Sequence, residues 1–131
     1  PEGLAGRVLG VQVSTIFQDY AQHYFEGQTE IRTYQTQDEA NQDLASGRID
    51  ATLADSLAMD PFLASDAGGC CVSLGPVAMD EAILGRGIGA GVRKGDTATL
   101  EAINRGIAAI LANGTYEEIT SRYFATSIYG G

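Results

Sequence analysis

The first half of the chain alternates between short apolar runs and longer stretches in which apolar residues recur at helical spacing. The short runs are typical of buried strands. They predict strands over residues 7–13, 30–34, 49–54 and 70–74. Because a helical pattern separates each predicted strand from the next, the order is β-α-β-α-β-α-β. That order favours an α/β fold, with a mainly parallel sheet flanked by helices on both faces.

Three helices are predicted between these strands. They cover residues 15–27, 36–46 and 56–63. The second opens with Thr36 and Glu39 at the spacing of a capping box, in which each side chain binds the other residue's backbone N–H. It stops at Gly47, since glycine readily takes the left-handed conformation that ends a helix. Pro61 is expected to kink or shorten the third helix.

The pattern changes after residue 84. Residues 85–91 are rich in glycine, and residues 88–93 read as an extended crossing segment. Asp96 then caps a long helix, and residues 115–118 form a second capping box that opens a short helix to about Tyr123. The long helix carries one apolar stripe. Its members are Leu100, Ile103, Ile107, Ile110 and Leu111.

Composition and charge exclude several classes of protein. Of the 131 residues, 44% are hydrophobic and 19% are charged, which is ordinary for a globular domain and argues against disorder. The formal net charge of −9 gives a surface that repels nucleic acid and anionic membranes. No apolar run reaches the roughly 18 residues of a membrane-spanning helix.

Cofactor and catalytic motifs are weak. Gly85, Gly87 and Ala90 have the spacing of a dinucleotide fingerprint, but an extended segment follows them instead of a helix. A hinge or a close-packed crossover is the better interpretation of these glycines. His23, the only histidine, lies between core positions of the first helix, and no catalytic triad can be assembled around it. We therefore expect no cofactor and no catalytic residue.

The two cysteines, Cys70 and Cys71, are adjacent. No metal-ligand spacing surrounds them, so no metal site is expected. A vicinal disulfide is one interpretation, but disulfide geometry is exacting. The preferred alternative is that one thiol faces the core and the other points out of a strand.

Two polar sites are predicted at strand ends. Asp55 follows residues 49–54, at the end of a strand where ligands bind in open α/β sheets. Its carboxylate is suited to accept hydrogen bonds from a ligand ammonium, and equally to cap the next helix. Ser14, Thr15 and Ile16 begin the first helix, where free N–H groups and the helix dipole favour an anion. Capping by Ser14 or Thr15 is the alternative, and the two roles are compatible.

Several segments, taken in order, resemble the polar amino-acid binding proteins of bacterial ABC importers, which have the type II periplasmic binding fold. The likeness is nearest to the lysine/arginine/ornithine- and histidine-binding branch, and it spans nearly the whole chain. The segments are GVQVST at residues 10–15, Tyr34 with Thr36 and Ala40, DLASGRIDA at 43–51, GAGVRKGD at 89–96, NGTY at 113–116 and RYF at 122–124.

The resemblance implies a two-lobed receptor that closes around its ligand. Residues 1–86 match the second lobe, and residues 87–131 match the crossover strand and C-terminal helices of the first lobe. The opening portion of the first lobe, with its carboxylate-binding arginine and its stacking aromatics, has no counterpart. We therefore expect a partial receptor that self-associates or swaps helices to cover its apolar stripe.

The resemblance also implies roles for individual residues. Asp55 matches the aspartate that binds the α-ammonium of the ligand. Thr15 and Ile16 fall where the family contacts the ligand carboxylate, Ile16 through its N–H only, and Ser14 replaces a usual glycine. Gln12 falls near the ligand side chain, where it is expected to tune specificity.

The expected function is periplasmic binding of a polar amino acid for delivery to an ABC-transporter permease. The expected ligands include basic amino acids and derivatives such as opines. Binding by hinge closure needs no bond chemistry. Two alternatives stay open. One is a cyclohexadienyl-dehydratase-like enzyme on the same fold, which needs an acid or base that His23 is badly placed to supply. The other is the sensor domain of a membrane receptor.

Overall fold

The computed structural model describes residues 2–124 and 128–129. The chain divides into two compact units, Pro1–Gly85 and Arg86–Gly131. The first unit holds the β-sheet, and the described part of the second is helical. Within the described ranges, no helix has the length and apolar character needed to cross a membrane.

The first unit is built on a three-stranded parallel sheet of order β2-β1-β3, so the predicted α/β fold is confirmed. The strands are β1 (Val8–Gln12), β2 (Glu30–Tyr34) and β3 (Ala51–Thr52). The central strand pairs Gly10 with Arg32 on one side and with Thr52 on the other. The prediction of a strand over residues 49–54 is too long, because the backbone beyond Leu53 leaves the ladder to reach the next helix.

Four α-helices occur in the described part of this unit, with two short 3₁₀ helices. They are α1 (Ile16–Phe25), α2 (Gln37–Ala45), α3 (Ser56–Leu63) and α4 (Glu81–Leu84), and the 3₁₀ helices Glu2–Leu4 and Asp66–Cys70. Thr15 caps α1, and Thr36 with Glu39 forms the predicted capping box of α2. Gly47, just beyond α2, has the predicted left-handed conformation, with φ of 71°. Pro61 lies in the last turn of α3.

Alternate residues of β1 face helices on opposite sides of the sheet. Leu9 and Val11 pack against α1 in the main core, and Gly10 points toward α2. That core cluster consists of Leu9, Val11, Tyr20, Ala21, Phe25 and Ala51. A Cβ atom on Gly10 would lie 2.5 Å from Ile49 Cδ1 and 3.7 Å from Ala40 Cβ. The sheet therefore has helices on both faces, as predicted.

The predicted strand at residues 70–74 is wrong. Asp66–Cys70 forms a 3₁₀ helix, and residues 71–80 have no regular secondary structure. Val72 and Leu74 are 79% and 81% exposed. Strand propensity reflects packing on a half-buried sheet surface, so an apolar run that finds no neighbouring strand has no reason to adopt strand geometry.

The long helix of the second unit is α5 (Thr97–Ala112). Asp96 caps it, as predicted, by accepting a hydrogen bond from a first-turn N–H. The apolar stripe is poorly covered, since Leu100 and Ile107 are 42% and 44% exposed. Residues 88–93, which precede the helix, have no regular secondary structure.

The last helix, α6 (Thr115–Thr120), differs from the prediction at both ends. The predicted capping box at residues 115–118 is wrong, because Thr115 is already helical and its N–H donates to Asn113 Oδ1 at 3.0 Å. The predicted box would have had the Glu118 side chain accept this N–H, and Asn113 accepts it instead. The helix also stops short of the predicted end near Tyr123.

Candidate functional site

Two helix N-termini lie at one edge of the sheet. β1 and β3 are adjacent and parallel, so their carboxyl ends point to the same edge, where ligands bind in open α/β sheets. Their last shared bond joins the Leu53 N–H to the Gly10 carbonyl at 3.1 Å. Beyond it, β1 leads into α1 and β3 leads into α3. The predicted site residues in these two connections are Ser14, Thr15, Ile16 and Asp55.

The turn into α1 is held by reciprocal hydrogen bonds. Thr15 Oγ1 accepts a bond from the Gln18 N–H at 3.3 Å and donates to the Gln12 carbonyl at 2.8 Å. Gln18 Oε1 in turn accepts a bond from the Ser14 N–H at 2.7 Å. Ser14 has φ of 60°, a region that crowds the Cβ of L-residues. The capping interpretation of Thr15 is therefore confirmed, and Gln18 is a participant that the sequence did not reveal.

The first turn of α1 keeps unused donors. Within the residues that the structure describes, the N–H groups of Thr15, Ile16 and Phe17 donate to no acceptor. Such orphan amides, together with the positive end of the helix dipole, suit a carboxylate. The sequence did not point to the Phe17 N–H as a free donor. The amides that stay free depend on which N–H the cap binds, and here Thr15 binds that of Gln18.

Asp55 is the N-cap of α3. Its Oδ1 accepts a hydrogen bond from the Leu57 N–H at 2.8 Å, which confirms the capping interpretation. The residue is exposed. An ionised carboxylate has about four acceptor positions, so the capping bond leaves capacity for a ligand ammonium. That second role stays a prediction.

A polar cluster fixes the strand that leads to Asp55. Gln37 Nε2 donates to Asn41 Oδ1 at 2.9 Å and to Thr52 Oγ1 at 3.1 Å. The Thr52 hydroxyl donates in turn to the Gly10 carbonyl at 3.0 Å. Gln37 therefore ties α2 to the end of β3. The sequence did not reveal this role, since Gln37 and Thr52 meet only when the sheet has formed.

Gln12 is the last residue of β1, and its side chain bridges toward the neighbouring strand. Its Nε2 donates to the Gln35 carbonyl, just beyond β2, at 3.2 Å. The residue is half-buried at the same sheet edge as the two helix N-termini. A role in specificity stays a prediction.

Asp43 in α2 makes a close charged contact with Arg48. Asp43 accepts a hydrogen bond from Arg48 Nε at 2.8 Å and another from the Tyr34 hydroxyl at 2.8 Å. Arg48 first, and then Tyr34, lower the pKa of Asp43 below its ordinary value. In the described part of the chain, no group of three or more His, Cys, Asp or Glu residues is arranged to hold a metal ion.

An open cleft of about 600 Å³ lies elsewhere, between α2 and α3. Asp38 and Asn41 line it from α2, and Ala58 and Phe62 line it from α3. It contains none of the predicted ligand-binding residues. The candidate site therefore rests on the strand-end geometry and not on this cleft.

The sequence matches the family model of bacterial extracellular solute-binding proteins, family 3, over residues 18–126. The L-arginine-binding protein of Pseudomonas aeruginosa is 43% identical over 102 residues, which are 77% of this chain and 39% of that protein. The histidine-binding periplasmic protein of Escherichia coli K12 is 38% identical over 132 aligned positions, covering 99% of this chain and 51% of the relative. The lysine/arginine/ornithine-binding periplasmic protein of the same organism is 31% identical over 131 positions, covering 98% and 50%.

The chain spans about half the length of the curated relatives it matches, or less. The family match covers most of the chain, and it agrees with the resemblance found in the sequence, which is thereby confirmed. The chain belongs to the bacterial extracellular solute-binding proteins, family 3.

Proposed function

We propose that this chain carries part of the binding site of a periplasmic receptor for a polar amino acid. Asp55 binds the α-ammonium of the ligand, and the first turn of α1 binds its carboxylate. The parallel pairing of β1 with β3 is the observation that carries the proposal, because it leaves both helix N-termini at one sheet edge. A zwitterion needs acceptors and donors within one small volume, and this edge supplies both.

The carboxylate contact uses backbone donors. The unused N–H groups of Thr15, Ile16 and Phe17 support this role, to which Ile16 contributes only its backbone N–H. Ser14 contributes its hydroxyl, because its N–H is already bound to Gln18. Charge-assisted bonds of this kind each contribute about 1.5–3 kcal/mol.

The ligand class follows from similarity and charge. The relatives are named for binding arginine, histidine, lysine and ornithine. A chain with a net charge of −9 attracts cationic solutes. A basic amino acid, or a derivative of one, is therefore the best candidate, with Gln12 close to its side chain.

The chain acts as a partial receptor, since it spans about half the length of its relatives. A first-lobe segment from outside this chain supplies the remaining ligand contacts. Closure of the two lobes on the ligand presents a form that an ABC-transporter permease recognises. The relatives are named as binding proteins, which favours capture over catalysis.

The charge of Asp55 can be removed without removing the helix cap, because Asn caps helices about as well as Asp. We expect Asp55→Asn to weaken L-arginine binding by about tenfold or more, the effect of losing one charge-assisted bond. Thermal stability should stay nearly unchanged. NMR titration suits the measurement, since half a site is expected to bind with an affinity on the order of millimolar.

Asp60→Asn is the matched control, because it removes the same charge from an exposed position on the same helix. It should leave L-arginine binding unchanged. Equal weakening by both variants would show that Asp55 acts only through its charge, and not through direct contact with the ammonium. That result would also contradict the proposal. Unchanged binding in Asp55→Asn, or no response of the wild type to L-arginine or L-histidine at all, would contradict the proposal.

A further inference from the structure

Cys70 and Cys71 lie together outside the proposed amino-acid site. Cys70 is exposed at the end of the 3₁₀ helix Asp66–Cys70, and Cys71 is half-buried just after it. The expectation that one thiol faces the core and the other points out of a strand is wrong, because no strand forms here. The neighbouring Cys70 thiol, with partial burial, raises the pKa of Cys71 to about 11.

The two thiols have different surroundings. The Cys70 sulfur lies 3.6 Å from the Ala67 carbonyl and is open to solvent, so a reagent can reach it. Cys71 is anchored through its backbone, since its N–H donates to the Gly68 carbonyl at 3.0 Å. Gly68 is closely packed, because a Cβ there would lie 2.0 Å from the Phe62 carbonyl oxygen. Both cysteines are therefore hydrogen-bonded to the 3₁₀ helix Asp66–Cys70, Cys70 through its thiol and Cys71 through its backbone.

We propose that Cys70 and Cys71 form a reactive vicinal dithiol, which small disulfides oxidise reversibly to a Cys70–Cys71 disulfide. The Cys70 thiolate attacks one sulfur of the small disulfide, which gives a mixed disulfide and releases one small thiolate. Cys71 then loses its proton to solvent and attacks the Cys70 sulfur. The new bond forms as the second small thiolate leaves. Two protein thiols are oxidised, and one small disulfide is reduced to two thiols.

The adjacency of the residues decides how this bond behaves. Neighbouring Cα atoms are about 3.8 Å apart, closer than the roughly 4.4–6.8 Å of ordinary disulfides. The bond is therefore strained, and strained, exposed disulfides are the easily reduced ones. A reversible state, and not a permanent structural crosslink, is the expected outcome.

Oxidised glutathione, followed by intact-mass analysis, tests the proposal on the whole chain. The wild type should lose the mass of two hydrogen atoms and form no disulfide-linked dimer. A mild reductant should restore its original mass. The Cys71→Ser variant keeps the accessible thiol and should stop at the glutathione adduct. The Cys70→Ser variant should react more slowly. Both positions are exposed or half-buried, and circular dichroism checks that each variant is folded.

Phenylarsine oxide gives a second measurement, because trivalent arsenic bridges two nearby thiols. The wild type should bind it at least about 100-fold tighter than either single-serine variant, as expected for two linked contacts. A stable glutathione adduct on the wild type, a disulfide-linked dimer, or equal arsenical affinity in all three proteins would overturn the proposal.

Discussion

Single residues show how closely the layers of the first unit approach each other. A Cβ atom on Gly10 would lie 2.5 Å from Ile49 Cδ1 and 3.1 Å from a ring carbon of Tyr34. Ile49 is only 3% exposed, so its terminal methyl has little room to move. Gly10 is therefore required by packing against the α2 side of the sheet.

We expect Gly10→Ala to lower the free energy of unfolding by about 1–3 kcal/mol, the usual effect of overpacking. Ile49→Val removes the methyl group that would clash, and alone it should cost about 0.5–1.5 kcal/mol. The double variant should lose less than the sum, because the clash is then absent. Urea unfolding of the four proteins measures this coupling. Additive losses would show that a methyl group fits at residue 10.

Helix caps were predictable at this scale because capping is local chemistry. Thr15, Thr36 with Glu39, and Asp55 each bind an amide two or three residues away. Gln37 was not predictable, since its partner Thr52 lies on a strand that only the folded sheet brings near. Local patterns thus give the caps of the site and omit the side chain that supports it.

At the scale of elements, Asp43 joins α2 to β2 and to the loop before β3. It accepts hydrogen bonds from Tyr34 and Arg48, which lower its pKa in the folded protein. The unfolded chain has the ordinary Asp value, about 3.9. The stabilisation is therefore fully present above that value, and it is lost as the pH falls through the lower pKa of the folded state.

We expect the free energy of unfolding to be nearly constant above about pH 5 and to decline below about pH 4. Asp43→Asn should make the acid decline shallower, because the titrating group is gone. Urea midpoints measured across this range give the comparison, with Asp60→Asn as a control of equal charge change. An unchanged decline in Asp43→Asn would assign the acid sensitivity to other carboxylates of lowered pKa, such as Asp80 and Asp96.

The elements themselves were predictable where periodicity and caps agree. β1, β2, α1 and α2 match the sequence pattern closely. The strand at residues 70–74 was wrong because a strand needs a neighbour and a buried face, and an apolar run of five residues reports neither. The capping box at residues 115–118 was wrong because Asn113, outside the motif, binds the amide of Thr115.

At the scale of the whole molecule, the apolar stripe of α5 is an exposed hydrophobic surface. Leu100, Ile107 and Ile110 are each more than one third exposed on this helix. The chain also spans about half the length of its relatives. We propose that a second copy of the chain covers this stripe in solution.

Light scattering at increasing concentration should therefore give a mass above that of the 13.7 kDa monomer. Ile107→Lys, in the stripe, should shift the population toward monomer, because burying an unpaired charge is costly. Ala109→Lys adds the same charge on the opposite side of the helix, and should leave association unchanged. A wild type that stays monomeric throughout would contradict the self-association.

The central claim is that one ligand joins Asp55 to the first turn of α1, and analogues that lack one charged group test it most directly. Amide NMR spectra are recorded with L-arginine, with its decarboxylated form, and with the analogue that lacks the α-amino group. L-arginine should shift the amides of Thr15, Ile16 and Phe17 together with that of Leu57. The decarboxylated form should affect only the Asp55 end, and the deaminated form only the α1 end. Shifts confined to the cleft between α2 and α3, or the same pattern from all three compounds, would contradict the account.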